Sequence, residues 1–189
     1  ARGLLVAGPF FFKSGLAEKI MKESEGMLVA SFGDVSPNPD VTEVDACAEI
    51  IRQNDIGFVV ALGGGSPMDC AKAACARVVR PNKTIPQMRG QLKVMHKLPP
   101  FFAVPTTAGT GSETTLAAVV SNTKTHEKYA INDPCLRPKF AVLDPELTVG
   151  LPPHITSTTG MEALTHAVEA YIGKSNTKST RDYAEKAVA

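Results

Sequence analysis

The sequence has no tryptophan, few aromatic residues and no strong excess of charge of either sign. Aromatic residues fill 6% of the 189 positions, and the formal net charge is +1. A near-neutral chain has no general electrostatic attraction to nucleic acid or to an anionic membrane surface. Its apolar runs are too short to span a bilayer, and no signal-peptide pattern stands at its start. The remaining composition, 43% hydrophobic and 21% charged, is typical of a globular protein.

Cysteine is also scarce, and its four positions contain no Cys-x-x-Cys pair. Cys47, Cys70 and Cys75 fall among alanines in predicted helices, and Cys135 stands apart from them. This spacing argues against a disulfide framework and against a zinc knuckle. We therefore predict buried free thiols and a cytoplasmic location.

What the sequence does contain is an alternation of short apolar strands with helices. Strands are predicted at 4–7, 27–32, 58–62, 101–104 and 140–143, helices at 14–25, 42–54 and 68–79, and a hairpin over 117–131. Ser14 and the Thr42-x-x-Asp45 pattern are predicted to open the first two helices. Residues 80–97 are predicted to form a solvated basic connection. The alternation predicts an α/β fold with a doubly wound, mainly parallel sheet, in which ligands bind at the carboxyl ends of the strands.

The strand pattern ends at Pro152-Pro153, and helices are predicted over 156–172 and from 179 onward. We predict an α/β domain over residues 1–153 and the beginning of an all-helical domain over residues 154–189.

A glycine-rich turn follows the third predicted strand. Residues 63–69 read Gly-Gly-Gly-Ser-Pro-Met-Asp, with Ser66 predicted as the helix N-cap and Asp69 as its capping-box partner. A strand-to-helix turn of this kind presents backbone N–H groups and the positive helix end to an anion. We expect Gly64, Gly65 and Ser66 to hold a pyrophosphate. The alternative is a tight turn with no ligand.

Two further groups of residues suggest chemistry. Residues 105–113, Pro-Thr-Thr-Ala-Gly-Thr-Gly-Ser-Glu, follow another strand, and the hydroxyls of Thr106, Thr107 and Thr110 can bind phosphate or ribose. Glu162 and His166 lie four residues apart on one helix face. They form half of a plausible divalent-metal site, although a surface pair has the same spacing.

These motifs, together with residues 160–167 (Gly-Met-Glu-Ala-Leu-Thr-His-Ala), resemble the iron-containing (group III) alcohol dehydrogenases in order and separation. The resemblance implies a dinucleotide-binding α/β domain followed by a helical metal-binding domain, NAD or NADP as cofactor, and a divalent metal, Fe²⁺ or Zn²⁺. It implies hydride transfer between an alcohol and the nicotinamide, with Glu162 and His166 as metal ligands and Lys128 reaching a ribose hydroxyl. The candidate cofactor-binding residues are Asn38, Gly64, Gly65, Ser66, Asp69, Thr106, Thr107, Thr110, Val119, Lys128 and Leu147.

The chain departs from the family pattern at several points. Gly8 stands where many members have an Asp that favours NAD, so NADP is compatible with this chain. Glu162 stands where Asp is usual. The chain begins after the family's opening segment and stops before two further histidine ligands, as expected of a sequence truncated at both ends.

Two alternatives remain open at this stage: a non-catalytic nucleotide-binding module and a glycerol-dehydrogenase-like zinc enzyme. The expected partners are a small alcohol or aldehyde and a second copy of the chain, with no nucleic acid and no membrane.

Overall fold

The computed structural model describes all 189 residues, which form two compact units. The first unit comprises Ala1–Pro105 and Ser112–Leu143, and the second comprises Thr106–Gly111 and Asp144–Ala189. The chain thus passes between the units three times, after Pro105, after Gly111 and after Leu143. The predicted boundary at residue 153, between an α/β domain and a helical domain, stays a prediction.

The first unit contains eight strands and four helices. The strands are β1 (Gly3–Ala7), β2 (Leu28–Phe32), β3 (Phe58–Gly63), β4 (Gly90–Gln91), β5 (Phe101–Pro105), β6 (Ala117–Asn122), β7 (Glu127–Asn132) and β8 (Phe140–Ala141). The helices are α1 (Pro9–Lys13), α2 (Leu16–Glu23), α3 (Val41–Gln53) and α4 (Gly65–Val79). Short 3-10 turns cover Pro86–Met88 and Pro134–Leu136.

Five strands form one sheet in the order β2-β1-β3-β5-β8, and every pairing within it is parallel. The interior strand β1, between β2 and β3, is buried along its whole length, as expected of a parallel strand that is covered on both faces. This sheet confirms the predicted α/β class and the mainly parallel arrangement. Gly63 pairs with Pro105, so β3 and β5 end side by side at the carboxyl edge.

Helix α4 packs into the core on nearly all sides. Its alanines and both of its cysteines are buried, and small side chains allow it to approach α3, β3 and β6 closely. The thiols of Cys47, Cys70 and Cys75 are free and buried, as predicted. Burial raises the pKa of Cys75 to about 12, which makes this thiol a poor nucleophile.

The hairpin is confirmed but lies in a second sheet, with the order β4-β7-β6. The prediction that residues 80–97 are a solvated connection is wrong in part. Ile85, Met88 and Val94 are fully buried, and β4 pairs with β7. The many charged residues of this segment hid three apolar side chains that anchor it to the core.

Two of the predicted helix starts are wrong. Ser14 ends the unpredicted helix α1, and α2 begins after Gly15, whose φ of 78° favours glycine. Helix α3 is capped by Asp40 in a capping box with Glu43, two positions before the predicted Thr42-x-x-Asp45 pattern. The side chain of Asp40 accepts a hydrogen bond from the Thr42 N–H at 2.8 Å.

The second unit is helical, with α5 (Glu146–Val149), α6 (Pro153–Ile172) and α7 (Lys178–Val188). The predicted helix over 156–172 is confirmed, but α6 begins three residues earlier because Pro153 suits the first helical position. Ala167 and Ala184 are buried where α6 packs against α7. No helix of the structure has both the length and the apolar character needed to cross a membrane.

Candidate functional site

The glycine turn lies at the carboxyl end of β3 and leads directly into α4. Gly63 has a φ of 143°, and a Cβ added there would lie 2.8 Å from Cγ of Pro67, so the backbone accepts only glycine at this position. Gly64 takes the N-cap position of α4, and no side chain caps the helix. The positive end of a 15-residue helix is therefore left without a side-chain acceptor, which is the arrangement that binds anions.

The predicted capping roles of Ser66 and Asp69 are wrong, because Gly64 takes the N-cap position and both residues fall inside the helix. Ser66 instead accepts a hydrogen bond through Oγ from the backbone N–H of Asn38, at 3.2 Å. Asp69 accepts hydrogen bonds from the Val119 N–H at 3.1 Å and from the Ser112 hydroxyl at 2.9 Å. Both side chains thus connect α4 to distant segments.

Three predicted site residues meet around Asn38. Lys128 of β7 donates from Nζ to Oδ1 of Asn38 at 2.6 Å, and Asn38 in turn donates to Ser66. Asn38 has a φ of 60°, a left-handed conformation that asparagine tolerates better than most residues. The loop after β2, the first turn of α4 and the hairpin therefore come together at one place.

Sequence reasoning missed Asp40, which holds this loop in position. Its carboxylate caps α3 and also accepts a hydrogen bond from the Thr123 N–H at 2.9 Å. Burial by itself raises the pKa of this carboxyl, but the hydrogen bonds from Thr42 and Thr123 outweigh burial and hold the pKa well below its usual range. The sequence signal was available as Asp-x-x-Glu directly before a helix.

A second pair of predicted residues, Asp69 and Val119, meets on the other side of the first turns of α4. Burial raises the pKa of Asp69, and the Val119 hydrogen bond and the nearby Lys72 ammonium oppose that rise. Lys72 is the second residue that sequence reasoning missed. It is only 1% exposed, and its sequence signal is that it is the one acidic or basic side chain in the alanine-rich stretch 70–76.

The threonine loop belongs to the second unit. Thr106 is buried, and Oγ1 of Thr107 is buried without a hydrogen-bond partner in the structure. A Cβ added at Gly109 would lie 2.1 Å from the carbonyl oxygen of Thr159. The backbone of the loop therefore packs directly against the backbone of α6, with no room for a side chain at Gly109. A buried hydroxyl without a partner fits a loop that receives a polar ligand.

The candidate metal ligands lie one turn apart on α6. Glu162 is half-buried and His166 is exposed. Nδ1 of His166 lies 3.3 Å from the carbonyl oxygen of Gly109, a contact that favours the proton on Nδ1 and leaves the Nε2 lone pair for a metal. No group of three or more His, Cys, Asp or Glu side chains is arranged for a metal ion. Glu162 and His166 stay predicted metal ligands, and no third side chain of these types joins them.

The positions of the other candidate residues say little about ligand binding. Leu147 is half-buried in α5 and its side chain has no polar atom. The histidines at positions 96, 126 and 154 are exposed. The role of Thr110 also remains a prediction.

Comparisons with known proteins agree in pointing to one family. A family model described as iron-containing alcohol dehydrogenase matches residues 1–145. The NADPH-dependent butanol dehydrogenase of Clostridium saccharobutylicum is 36% identical, with 98% of this chain and 49% of that protein aligned. The choline dehydrogenase of Bacillus subtilis is 35% identical, with 92% and 44% aligned.

The crystal structure of sulfoacetaldehyde reductase from Bifidobacterium kashiwanohense, solved with NAD⁺, superposes with a TM-score of 0.87 at 43% identity. It aligns with 97% of this chain, which covers 49% of that one. The chain thus spans about half the length of the relatives it matches. These relatives favour the alcohol dehydrogenases over the glycerol-dehydrogenase-like alternative.

Proposed function

The chain belongs to the iron-containing alcohol dehydrogenase family, and from this premise we propose that it binds NAD or NADP and serves hydride transfer between an alcohol and that cofactor. The observation that carries the proposal is the start of α4. A helix without a side-chain cap follows a strand at the carboxyl edge of a parallel sheet, and such a helix end binds the pyrophosphate of a dinucleotide.

The residues around this helix end suit the remaining parts of a dinucleotide. Lys128 and Asn38 place an ammonium and an amide together, and such groups bind ribose hydroxyls. A phosphate at the helix end would lie near the same cation. We propose that the first unit contacts the cofactor through Asn38, Gly64, Gly65, Ser66, Asp69, Val119 and Lys128. The contacts that the family resemblance implies for Thr106, Thr107, Thr110 and Leu147 stay predictions.

The side chains of Glu162 and His166 fit a divalent metal as part of its ligand set. A carboxylate oxygen and a neutral imidazole nitrogen are ligands that Fe²⁺ and Zn²⁺ accept, and the Gly109 carbonyl fixes the tautomer that histidine needs for this role. When bound, the metal supplies a Lewis acid that polarises the substrate oxygen. The two donors on this chain need further ligands, because a stable site of this type uses at least three protein groups.

The protein's own contribution to the reaction is binding and orientation. The chemistry of hydride transfer belongs to the nicotinamide. The glycine turn would hold the pyrophosphate while Lys128 and Asn38 would fix the ribose, and together they would limit the positions open to the nicotinamide ring. Orientation of this kind lowers the entropic part of the barrier.

Cofactor binding can be measured directly on this chain. NADH fluorescence titration of the unmodified chain should show saturable binding. Lys128→Met should weaken it by about tenfold, in line with the loss of one charge-assisted hydrogen bond. The matched control is Lys124→Met, an exposed lysine in the turn of the same hairpin, which should leave binding unchanged. If the folded, unmodified chain takes up neither NADH nor NADPH, the proposal is wrong.

The same proposal has consequences for the substrate, the cellular location and the partners of the protein. The substrate would be a small alcohol or aldehyde. A cytoplasmic location agrees with the free buried thiols, and the absence of nucleic acid as a partner agrees with the net charge of +1. Self-association stays a prediction from the family resemblance. The preference between NAD and NADP is tested below with Gly8→Asp.

A further inference from the structure

The side chain of Lys72 is buried in the core of the first unit although it carries an ammonium group. It is 1% exposed and lies in α4, one turn beyond Asp69. Five oxygens surround its Nζ atom at 2.6 to 3.3 Å. They are the carbonyl oxygens of Ser112, Thr115 and Ala117 and the hydroxyls of Ser112 and Thr115. Every one of these acceptors belongs to the segment 112–117.

The buried ammonium of Lys72 makes none of these five hydrogen bonds within α4. Apart from Asp69, its neighbours along the helix are mostly apolar, and a methionine would fill the same space without a charge to desolvate. The carboxylates that face the ammonium are Asp69 and Glu113. The hydrogen bonds that offset the desolvation of the ammonium all go to the segment 112–117. Lys72 therefore helps to fix the position of that segment.

This segment is connected to the proposed cofactor contacts. The hydroxyl of Ser112 contacts Lys72 and also donates to the Asp69 carboxylate. The second oxygen of that carboxylate accepts from the N–H of Val119, two residues beyond the last carbonyl that Lys72 binds. A shift of the segment would therefore move Val119 and change the hydrogen bonds of Asp69.

We propose that Lys72 is a positioning residue, whose ammonium holds the segment 112–117 against α4 and so places Val119 and the Asp69 carboxylate for cofactor binding. Lys72 acts through these groups and does not itself contact the cofactor. The inference rests on the proposed function, because its consequence is measured as affinity for NADH.

The test combines NADH titration with amide hydrogen exchange, both at a temperature where circular dichroism shows the variant folded. Lys72→Met should raise the Kd for NADH by tenfold or more. It should also accelerate exchange at the amides of 112–119 by at least tenfold, and leave the amides of α3 unchanged. Lys22→Met, at an exposed lysine of α2, should change neither quantity.

The outcomes separate the two proposals. If the unmodified chain binds NADH and folded Lys72→Met binds equally well, Lys72 is not a positioning residue and the proposed function stands. Equal acceleration of exchange in α3 and in 112–119 also overturns the inference, because it reveals a general loss of stability. Failure of the unmodified chain to bind NADH overturns the proposed function and this inference with it.

A second variant decides the matter if Lys72→Met does not fold. Thr115→Val removes one hydroxyl acceptor of Lys72 with little change of shape. It should raise the Kd for NADH by about threefold, with faster exchange confined to 112–119. An unchanged Kd in this folded variant counts against the proposal.

Discussion

The buried ammonium of Lys72 should make the stability of the folded protein increase with pH above neutrality. Burial lowers the pKa of its ammonium to about 8 from an ordinary value of 10.5, against the opposing effect of the carboxylates of Asp69 and Glu113. In the unfolded chain the ammonium returns to its ordinary pKa. Between pH 8 and 10.5 the unfolded state therefore holds a proton that the folded state has lost, and raising the pH favours folding.

The magnitude follows from the two pKa values. One proton of difference changes the free energy of unfolding by about 1.4 kcal/mol per pH unit. Since the full difference applies only above pH 8, the contribution of Lys72 between pH 7 and 9.5 is about 2 kcal/mol. The same shift means that the charged form is the less favourable one in the core, so Lys72 costs stability at pH 7.

The assay is urea denaturation of the unmodified chain and of Lys72→Met at pH 7, 8, 9 and 9.5. Other titrating groups are present in both proteins, so their effects cancel in the difference between the two curves. The unmodified chain should gain about 2 kcal/mol relative to the variant over this range. Parallel curves would show that the ammonium is not desolvated in the folded protein and would refute the reasoning.

Three other predictions test separate parts of the structure. Gly8→Asp should favour NADH over NADPH in binding titrations, because a Cβ there meets no atom within 4 Å and a carboxylate repels a 2′-phosphate; an unchanged preference would place the ribose elsewhere. Gly109→Ala should lower stability by more than about 2 kcal/mol in thermal melts through its clash with Thr159, whereas Gly160→Ala, with open space around it, should be neutral or stabilising by up to about 1 kcal/mol. This chain alone should show no alcohol-dependent NADH formation that a chelator abolishes, because its two candidate ligands, Glu162 and His166, are too few to hold a metal. Such turnover would contradict the proposal that the metal needs further ligands.

Much of the candidate site was predictable because its signals are local. A glycine triplet between an apolar strand and a helix can be recognised without knowing the rest of the fold, and Gly63 does have the backbone conformation that requires glycine. The pair Glu162 and His166 was predictable for the same reason, since the helical repeat places residues four apart on one face.

The errors have a common cause as well. Ser66 and Asp69 match a capping pattern, but their side chains bond to Asn38, Ser112 and Val119, which are 28 to 50 positions away along the chain. Short patterns report only near neighbours, and a side chain at a helix start can satisfy a distant N–H group instead of its own helix.

The sequence by itself determined the strand and helix alternation, the parallel sheet and the position of the glycine-rich turn before α4, because each depends on periodicity or on the conformational freedom of glycine. Only the tertiary structure decided that Asn38, Ser66 and Lys128 meet, and that Lys72 is buried against the segment 112–117. The physical reason is that hydrogen bonds between distant segments depend on how the elements pack, and packing positions are not encoded in any short stretch of the chain.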